Sequence, residues 1–289
     1  MHLKDILIQL SENTIYKNIK VRLKMEKYYF NFHLRTEVGL VRDNNEDAIA
    51  GSYNTLVVAD GVGGYPDGEV ASSYVVEEVI KATTSNSFKS EESKETISDA
   101  VHQSRIRLYK NHSWGNTTMV AAVIDQDTLH IANIGDSRGY LFRDGCLIPL
   151  TKDQSVVQRL IDMGEITEEE SLYISSRNII SETIHGELYK PARIDFSTHK
   201  IQRGDIIMLC TDGLTDLMIN KKIEEIINNN INKGLEGISD SLIDFTFNIQ
   251  DDILIAGKDN TTIALGEVKC MEENNVLQEP EIHTFYNAE

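Results

Sequence analysis

Two apolar runs, Leu56–Ala59 and Ile206–Cys210, give way to an aspartate followed by glycine. The first does so in Val58-Ala59-Asp60-Gly61-Val62-Gly63-Gly64 and the second in Leu209-Cys210-Thr211-Asp212-Gly213-Leu214. An apolar run of this length reads as a buried strand. The aspartate then stands at the strand's end on rigid scaffold, and the glycine lets another group approach the backbone closely. Two such strand-end carboxylates point to a site built for hard cations.

The chain has 289 residues and a hydrophobic content of 40%, enough for one large domain with a substantial core. No stretch approaches the roughly 18 consecutive apolar residues of a membrane span. Met1-His2-Leu3-Lys4-Asp5 lacks the basic region and apolar core of a secretory signal. The three cysteines, Cys146, Cys210 and Cys270, are odd in number and without C-x-x-C spacing, which suits a reduced, cytoplasmic protein. A net charge of −18 argues against nucleic acid and anionic membranes as partners. It leaves phosphorylated substrates open, because a bound cation dominates its local field.

Strands are expected at 28–36, 48–50, 55–59, 119–124, 129–134, 140–143, 194–197, 206–210 and 261–266. Helical stripes come in pairs: Ala71, Val75, Val79 and Ile80, then Ile97, Val101, Ser104 and Leu108. Val156, Val157, Leu160 and Ile161 form another, stopped by Gly164. Ile223, Ile226 and Ile227, then Ile238, Leu242 and Phe245, form the late pair. Strands cluster, helices follow, and the order repeats without strict β-α-β alternation. An α+β fold of mostly antiparallel sheets with helices packed outside is expected. Leu3, Ile6, Leu7 and Leu10 have the spacing of a short amphipathic helix. The weakly patterned segment 164–191 reads as a surface flap.

Glu46 and Asp47 precede a strand, Asp60 and Asp212 end strands, Asp136 follows one, and Asp259 precedes the last. A two-layer sheet can gather such positions at one edge. Gathered carboxylates repel one another unless they are protonated or bind cations. Carboxylate, carbonyl and water oxygens are the ligands of magnesium, manganese or calcium. The eight histidines are scattered and offer no zinc site. Each Asp-Gly, Asp-Ser or Asp-Asn pair is also an ordinary turn former, and the spacing names no reaction by itself.

The ordered motifs narrow the choice. They begin with Val38-Gly39-Leu40-Val41-Arg42 and Asn45-Glu46-Asp47, then Ala59-Asp60-Gly61-Val62-Gly63-Gly64 with Gly68-Glu69-Val70-Ala71-Ser72. Asn116-Thr117-Thr118 and Ile134-Gly135-Asp136-Ser137-Arg138-Gly139-Tyr140 come next, followed by Leu150-Thr151-Lys152-Asp153-Gln154-Ser155, Gly164-Glu165-Ile166-Thr167 and Arg177-Asn178. Cys210-Thr211-Asp212-Gly213-Leu214 and Asp259-Asn260-Thr261-Thr262 close the set. In this order they resemble the metal-dependent Ser/Thr protein phosphatases of the 2C type, the PPM family, and within it the compact bacterial branch.

The resemblance implies an α/β/β/α sandwich, two packed sheets flanked by helix pairs with the metal site at one edge. It implies an N-terminal extension over 1–27, helical or flexible, a phosphatase domain over 28–268 with a flap near 164–191, and a tail over 269–289. It further implies two Mg²⁺ or Mn²⁺ ions sharing a bridging water that attacks phosphoserine or phosphothreonine directly. Asp60 would bridge the ions. The Gly61 carbonyl, and Glu46 through water, would serve one ion, while Asp212 and Asp259 would hold the other. Asp136 with Asp212 would form a weaker third site. Asp47 would orient metal-bound water and Arg42 would clamp the substrate phosphate. The implied partners are phosphorylated proteins, substrates of a Ser/Thr kinase, met by a cytoplasmic monomer.

Rivals to single assignments are a surface ion pair of Arg42 with Asp43, and of Arg138 with Asp136 or Glu69. His185 reads as a solvated loop histidine ahead of a proton donor. Val62 stands where many relatives carry the histidine thought to protonate the leaving group, so no acid is assigned. Gln154 and Glu37 replace a common histidine and aspartate. The alternative function is a non-catalytic phosphoprotein-binding regulator of the same fold, which degenerate ligands would mark. A two-metal hydrolase of nucleotides is opposed by the charge and by the absence of a P-loop.

Overall fold

The computed structural model describes residues 27–64, 66–85, 92–174, 179–249, 257–270 and 282–285. The expected helix over Leu3–Leu10, the Arg177-Asn178 motif and most of the segment 269–289 lie outside them.

Strands β1 (Tyr28–Glu37), β2 (Ala48–Gly51) and β3 (Thr55–Ala59) are followed by helices α1 (Gly68–Thr84) and α2 (Ser93–Lys110). Then come β4 (Met119–Asp125), β5 (Thr128–Ile134), β6 (Arg138–Arg143) and β7 (Cys146–Pro149), and the short helices α3 (Val156–Asp162) and α4 (Glu168–Ser171). Strands β8 (Asp195–Lys200) and β9 (Ile206–Cys210) lead into α5 (Asp212–Thr215), α6 (Asn220–Asn230) and α7 (Gly234–Asn248), and β10 (Thr261–Cys270) and β11 (His283–Phe285) end the order.

One sheet has the order β1-β10-β9-β6-β7 and the other β11-β2-β3-β4-β5-β8. Every neighbouring pair in both is antiparallel. The continuous apolar runs are explained by what lies on each face. Leu56 and Val58 of β3 meet Ile207 and Leu209 of β9 in the core between the sheets. The alternate residues Val57 and Ala59 pack with Val75, Val76, Val79, Ile97 and Val101 of α1 and α2. On the far side Met208 and Cys210 pack with Ile223, Ile227, Ile238 and Leu242 of α6 and α7. The fold is thus the α+β, helix–sheet–sheet–helix sandwich. A strand buried on both faces has no polar face to alternate with, and each such side chain contributes about 1.5–3 kcal/mol by leaving water.

The register places the strand ends together. The end of β3 (Ala59) lies opposite the start of β2 (Ala48). The end of β9 (Cys210) lies opposite the start of β6 (Arg138) and beside the start of β10 at Ile263. Asp47, Asp60, Asp136, Asp212 and Asp259 therefore emerge at one edge of the sandwich.

The stop at Gly164 takes the expected form. Gly164 has φ +70°, and Glu165 N–H reaches back to Leu160 O at 3.0 Å. Beyond α4, part of the segment 179–191 joins the sheets. Ile184 is fully buried and exchanges both backbone hydrogen bonds with Thr117, at 2.8 and 3.0 Å.

Candidate metal centre

A cleft of about 310 Å³ at that edge is lined by Arg42, Asp60, Gly61, Asp136, Asp212 and Asp259, together with Val62, Gly63, Thr118 and Ile180. The loops that carry them are knitted by side chains. Asn260 accepts from Glu46 N–H at 3.0 Å and donates to Asn44 O at 3.0 Å. Ser72 on α1 donates to Glu46 O at 2.6 Å. Thr118 Oγ1 accepts from Asp60 N–H at 3.0 Å and meets Ser137 Oγ at 2.7 Å.

Both Asp-Gly glycines are sites of close approach. A Cβ at Gly61 would fall 2.7 Å from the backbone of both Glu46 and Gly68. A Cβ at Gly213 would overlap the carbonyl oxygen of Asn260. The group that approaches is thus the protein's own backbone, which draws Asp60 toward Glu46 and Asp212 toward Asp259.

Behind the cleft wall, Asp47 is buried and its Oδ2 accepts from Thr262 at 2.6 Å and Thr211 at 3.0 Å. The Asp60 carboxyl lies close enough to those of Asp47 and Asp212 to interact with both. Two carboxyl groups meet in this way only when a proton or a cation lies between them. Burial pushes Asp60 and Asp212 well above the ordinary carboxylate range, aided at Asp60 by the charges of Asp47 and Asp212 and at Asp212 by those of Asp216 and Asp136. Burial likewise pushes Asp47 and Asp136 up to about 7. Glu46 is half-buried against Gly68 and is raised mainly by desolvation.

Arg42 reaches into this acidic cleft over Gly63, and its Nη2 lies 2.6 Å from Asp259 Oδ2. Its ion pair is therefore with Asp259. Among the described residues no three His, Cys, Asp or Glu side chains close on one point. The donor set is nonetheless that of a hard cation: oxygen alone, several carboxylates in one cleft, and carboxyl groups close enough to need positive charge between them. Asp60, Asp212, Asp259 and the Gly61 carbonyl are the groups that fit such an ion.

Arg138 differs from both partners expected for it. It pairs with Asp153, with Nη2 to Oδ2 at 2.7 Å and Nε to Oδ1 at 2.9 Å. The β6–β7 hairpin folds 150–153 back onto the start of β6, where Gly139 N–H donates to Thr151 Oγ1 at 2.9 Å. Gln154 supports the Asp136 loop. Its Oε1 accepts from Gly135 N–H at 2.9 Å, and its Nε2 donates to Asp195 at 2.9 Å.

Asp216 went unnoticed in the sequence. It joins Asp136, Asp153 and Asp212 around a small cavity of about 30 Å³. Its spacing of four residues from Asp212 was the available signal, since that spacing puts both on one helical face. His185 lines a neighbouring groove and is not among the residues of the cleft.

The raised carboxylates set the sign of a pH dependence when divalent cations are chelated. Their folded-state values lie above the unfolded ones, so the stability they contribute is present in acid and is lost as pH rises through about 7. Thermal unfolding of the chelated protein is expected at a higher temperature near pH ~5.5 than near pH ~8, with a weaker slope in Asp47→Asn. Saturating Mn²⁺ is expected to flatten the difference. A chelated protein that melts higher at the alkaline end would contradict this account.

Residues 41–242 match the family described as Protein phosphatase 2C. The Serine/threonine phosphatase stp of Listeria innocua is 31% identical over 252 residues, which covers 83% of this chain and 96% of that protein. The Serine/threonine protein phosphatase PstP of Mycobacterium tuberculosis is 32% identical over 197 residues, 67% of this chain but only 38% of that longer protein. The solved catalytic domain of PstP in complex with two manganese ions superposes with a TM-score of 0.68 at 27% identity, covering 84% of this chain and 99% of that one.

Proposed function

The chain belongs to the protein phosphatase 2C family, and from that premise we propose that it hydrolyses phosphoserine and phosphothreonine in proteins with Mg²⁺ or Mn²⁺ as cofactor. The observation that carries this reading is Arg42 set among Asp60, Asp136, Asp212 and Asp259 in one cleft. A guanidinium beside carboxylates that need cations suits a dianionic phosphate monoester bound between the two kinds of positive charge.

Asp60, Asp212, Asp259 and the Gly61 carbonyl would hold the ions, with Glu46 acting through water and Asp136 with Asp212 at a weaker third position. When bound, the ions supply Lewis acidity that activates water and neutralises the phosphoryl oxygens. Arg42 orients the phosphoryl group with two parallel donors and a charge that does not titrate away. Asp47, fixed by the Thr211 and Thr262 hydroxyls, orients the attacking water in line with the ester bond. A new P–O bond forms from water, the P–O bond to the serine or threonine oxygen breaks, and that oxygen leaves as the alcohol. Val62 carries no proton to give and His185 lies in the next groove, so the leaving oxygen takes its proton from water. Among the described residues no helix is long and apolar enough to cross a membrane. The proposed substrates are phosphoproteins of the cytoplasm.

The test is phosphate release from a phosphothreonine peptide across a Mn²⁺ titration, with a chelated control. Hydrolysis that appears with Mn²⁺ and vanishes on chelation is expected. Arg42→Lys is expected to lower kcat/KM about tenfold to a hundredfold, because an ammonium cannot reproduce the paired donors. Full activity under chelation would overturn the reading. Peptide binding without turnover at saturating Mn²⁺ would favour the non-catalytic regulator instead.

A further inference from the structure

Beside the cleft lies a second groove, of about 500 Å³, lined by Tyr109, Trp114, Asn116, His185, Leu188 and Tyr189. Its three large aromatic side chains are held in water: Tyr109 is 62% exposed, Trp114 72% and Tyr189 82%. Aromatic residues clustered at the surface around one concavity mark a contact site more often than an accident of folding.

The walls of this groove are built rather than loose. Helix α2 ends with His112 at φ +54°, with Ser113 N–H reaching Leu108 O at 3.0 Å and His112 N–H reaching Tyr109 O at 3.2 Å. That cap aims the chain at Trp114. The next residue, Gly115, lies so close to Asp67 that a Cβ would overlap the Asp67 carbonyl oxygen. The opposite wall, 185–190, has no strand or helix of its own. It is pinned by Arg105 of α2, a buried guanidinium that donates to the carbonyls of His185, Glu187 and Lys190. Gly186 packs directly on the end of α2, where a Cβ would fall 3.1 Å from Tyr109 N.

The groove and the cleft are separated by one shared wall. Asn116 lines the groove and its carbonyl accepts from the N–H of Val62, which lines the cleft, at 2.9 Å. Thr117, the next residue, bridges Gly61 on one side and Ile184 on the other. One strip of backbone is therefore the shared wall of both. A polypeptide with its phosphorylated residue at Arg42 would have only this wall to cross to reach the groove.

We propose that the groove binds a large apolar side chain of the phosphoprotein substrate, close in sequence to its phosphorylated serine or threonine, and that Trp114 and Tyr189 select for it. The proposal rests on the phosphatase reading. Rigid aromatic walls lose little conformational freedom on binding, which is why such residues dominate recognition surfaces. Phosphate would be bound by the cleft and sequence context read by the groove.

The test uses Mn²⁺-loaded full chain, para-nitrophenyl phosphate, and phosphothreonine peptides that carry leucine, phenylalanine or serine in turn at the flanking positions. Trp114→Ala and Tyr189→Ala remove exposed side chains that the core does not need. Each is expected to lower kcat/KM for the best apolar-flanked peptide about tenfold, while the serine-flanked peptide and the aryl phosphate change less than about twofold. Trp114 is the only tryptophan of the chain, so its emission reports the groove without turnover. Dephosphorylated apolar peptides are expected to shift that emission, and serine peptides are not. Equal losses on all substrates, no loss on any, or unshifted emission would overturn the proposal. A dimer that dissociates in Trp114→Ala would give the groove to a second copy of the chain and overturn it too. If wild-type protein hydrolyses no phosphate ester the phosphatase reading fails, and the emission titration still decides the groove separately.

Discussion

Asp60→Asn is expected to reduce phosphate-ester hydrolysis about a thousandfold or more, the equivalent of several kcal/mol of transition-state stabilisation. The same substitution is expected to raise the melting temperature of the chelated protein. Both effects come from one physical fact. Asp60 faces Asp47 and Asp212 in a cleft where burial already disfavours charge. A carboxylate there is costly for the fold and useful only when a cation meets it. Asparagine keeps the size and a hydrogen-bonding oxygen but removes the charge. Each kcal/mol of relieved repulsion is worth about 2–4 °C in a chain of this size. Phosphate release and differential scanning calorimetry on the same preparation decide the matter. A variant that is both active and unstable would invert the expected pattern and would remove Asp60 from the centre of the site.

Gly213→Ala is expected to have the second-largest effect, and for a different reason. No reacting group is changed. The added Cβ would overlap the carbonyl oxygen of Asn260 and fall 2.8 Å from Thr261 Oγ1, so the start of α5 and the start of β10 must separate. Overpacking of this kind costs about 1–3 kcal/mol. Asp212 and Asp259 sit one residue from the clash on either side, and the separation moves them apart. A displacement of about 1 Å at a reacting centre is enough for a hundredfold loss. Circular dichroism should show a folded protein with a lower melting temperature, and the peptide assay should show the loss, partly recovered at high Mn²⁺. An alanine variant with native kinetics would show that the close contact between Gly213 and Asn260 does not position the carboxylates.

Much of the fold was legible in the sequence because its strongest signals are local. The runs at 56–59 and 206–210 are apolar without alternation, and both strands are covered on both faces. The helical stripes at 71–80 and 97–108 became α1 and α2 because a 3.6-residue period can bury only one face. Two of the elements that escaped have little to bury. Strand β7 exposes Cys146, Ile148 and Pro149 and buries Leu147 alone, and α4 is four residues long with no buried residue. Such elements are held by their neighbours, and their own residues say little about them. Asp216 and the Asp153 partner of Arg138 escaped for a related reason. Their roles depend on a helical turn and a hairpin closing, which bring Asp216 beside Asp212 and Asp153 onto Arg138.

The residue types and their order were enough to determine the family, the sandwich, and the carboxylates and arginine from which a metal centre is proposed. Strand ends can be read locally, and a carboxylate at each end is visible whatever lies opposite. Tertiary structure alone decided which groups meet. Arg42 pairs with Asp259, 217 positions away, rather than with its neighbour Asp43. Asp47 is fixed by hydroxyls of Thr211 and Thr262 that come from two other strand ends. The single tryptophan opens onto a groove that shares a wall with the cleft. Hydrogen bonds and charge pairs act over a few ångströms of space regardless of separation along the chain. Only the antiparallel register, by bringing five strand ends to one edge, could determine them.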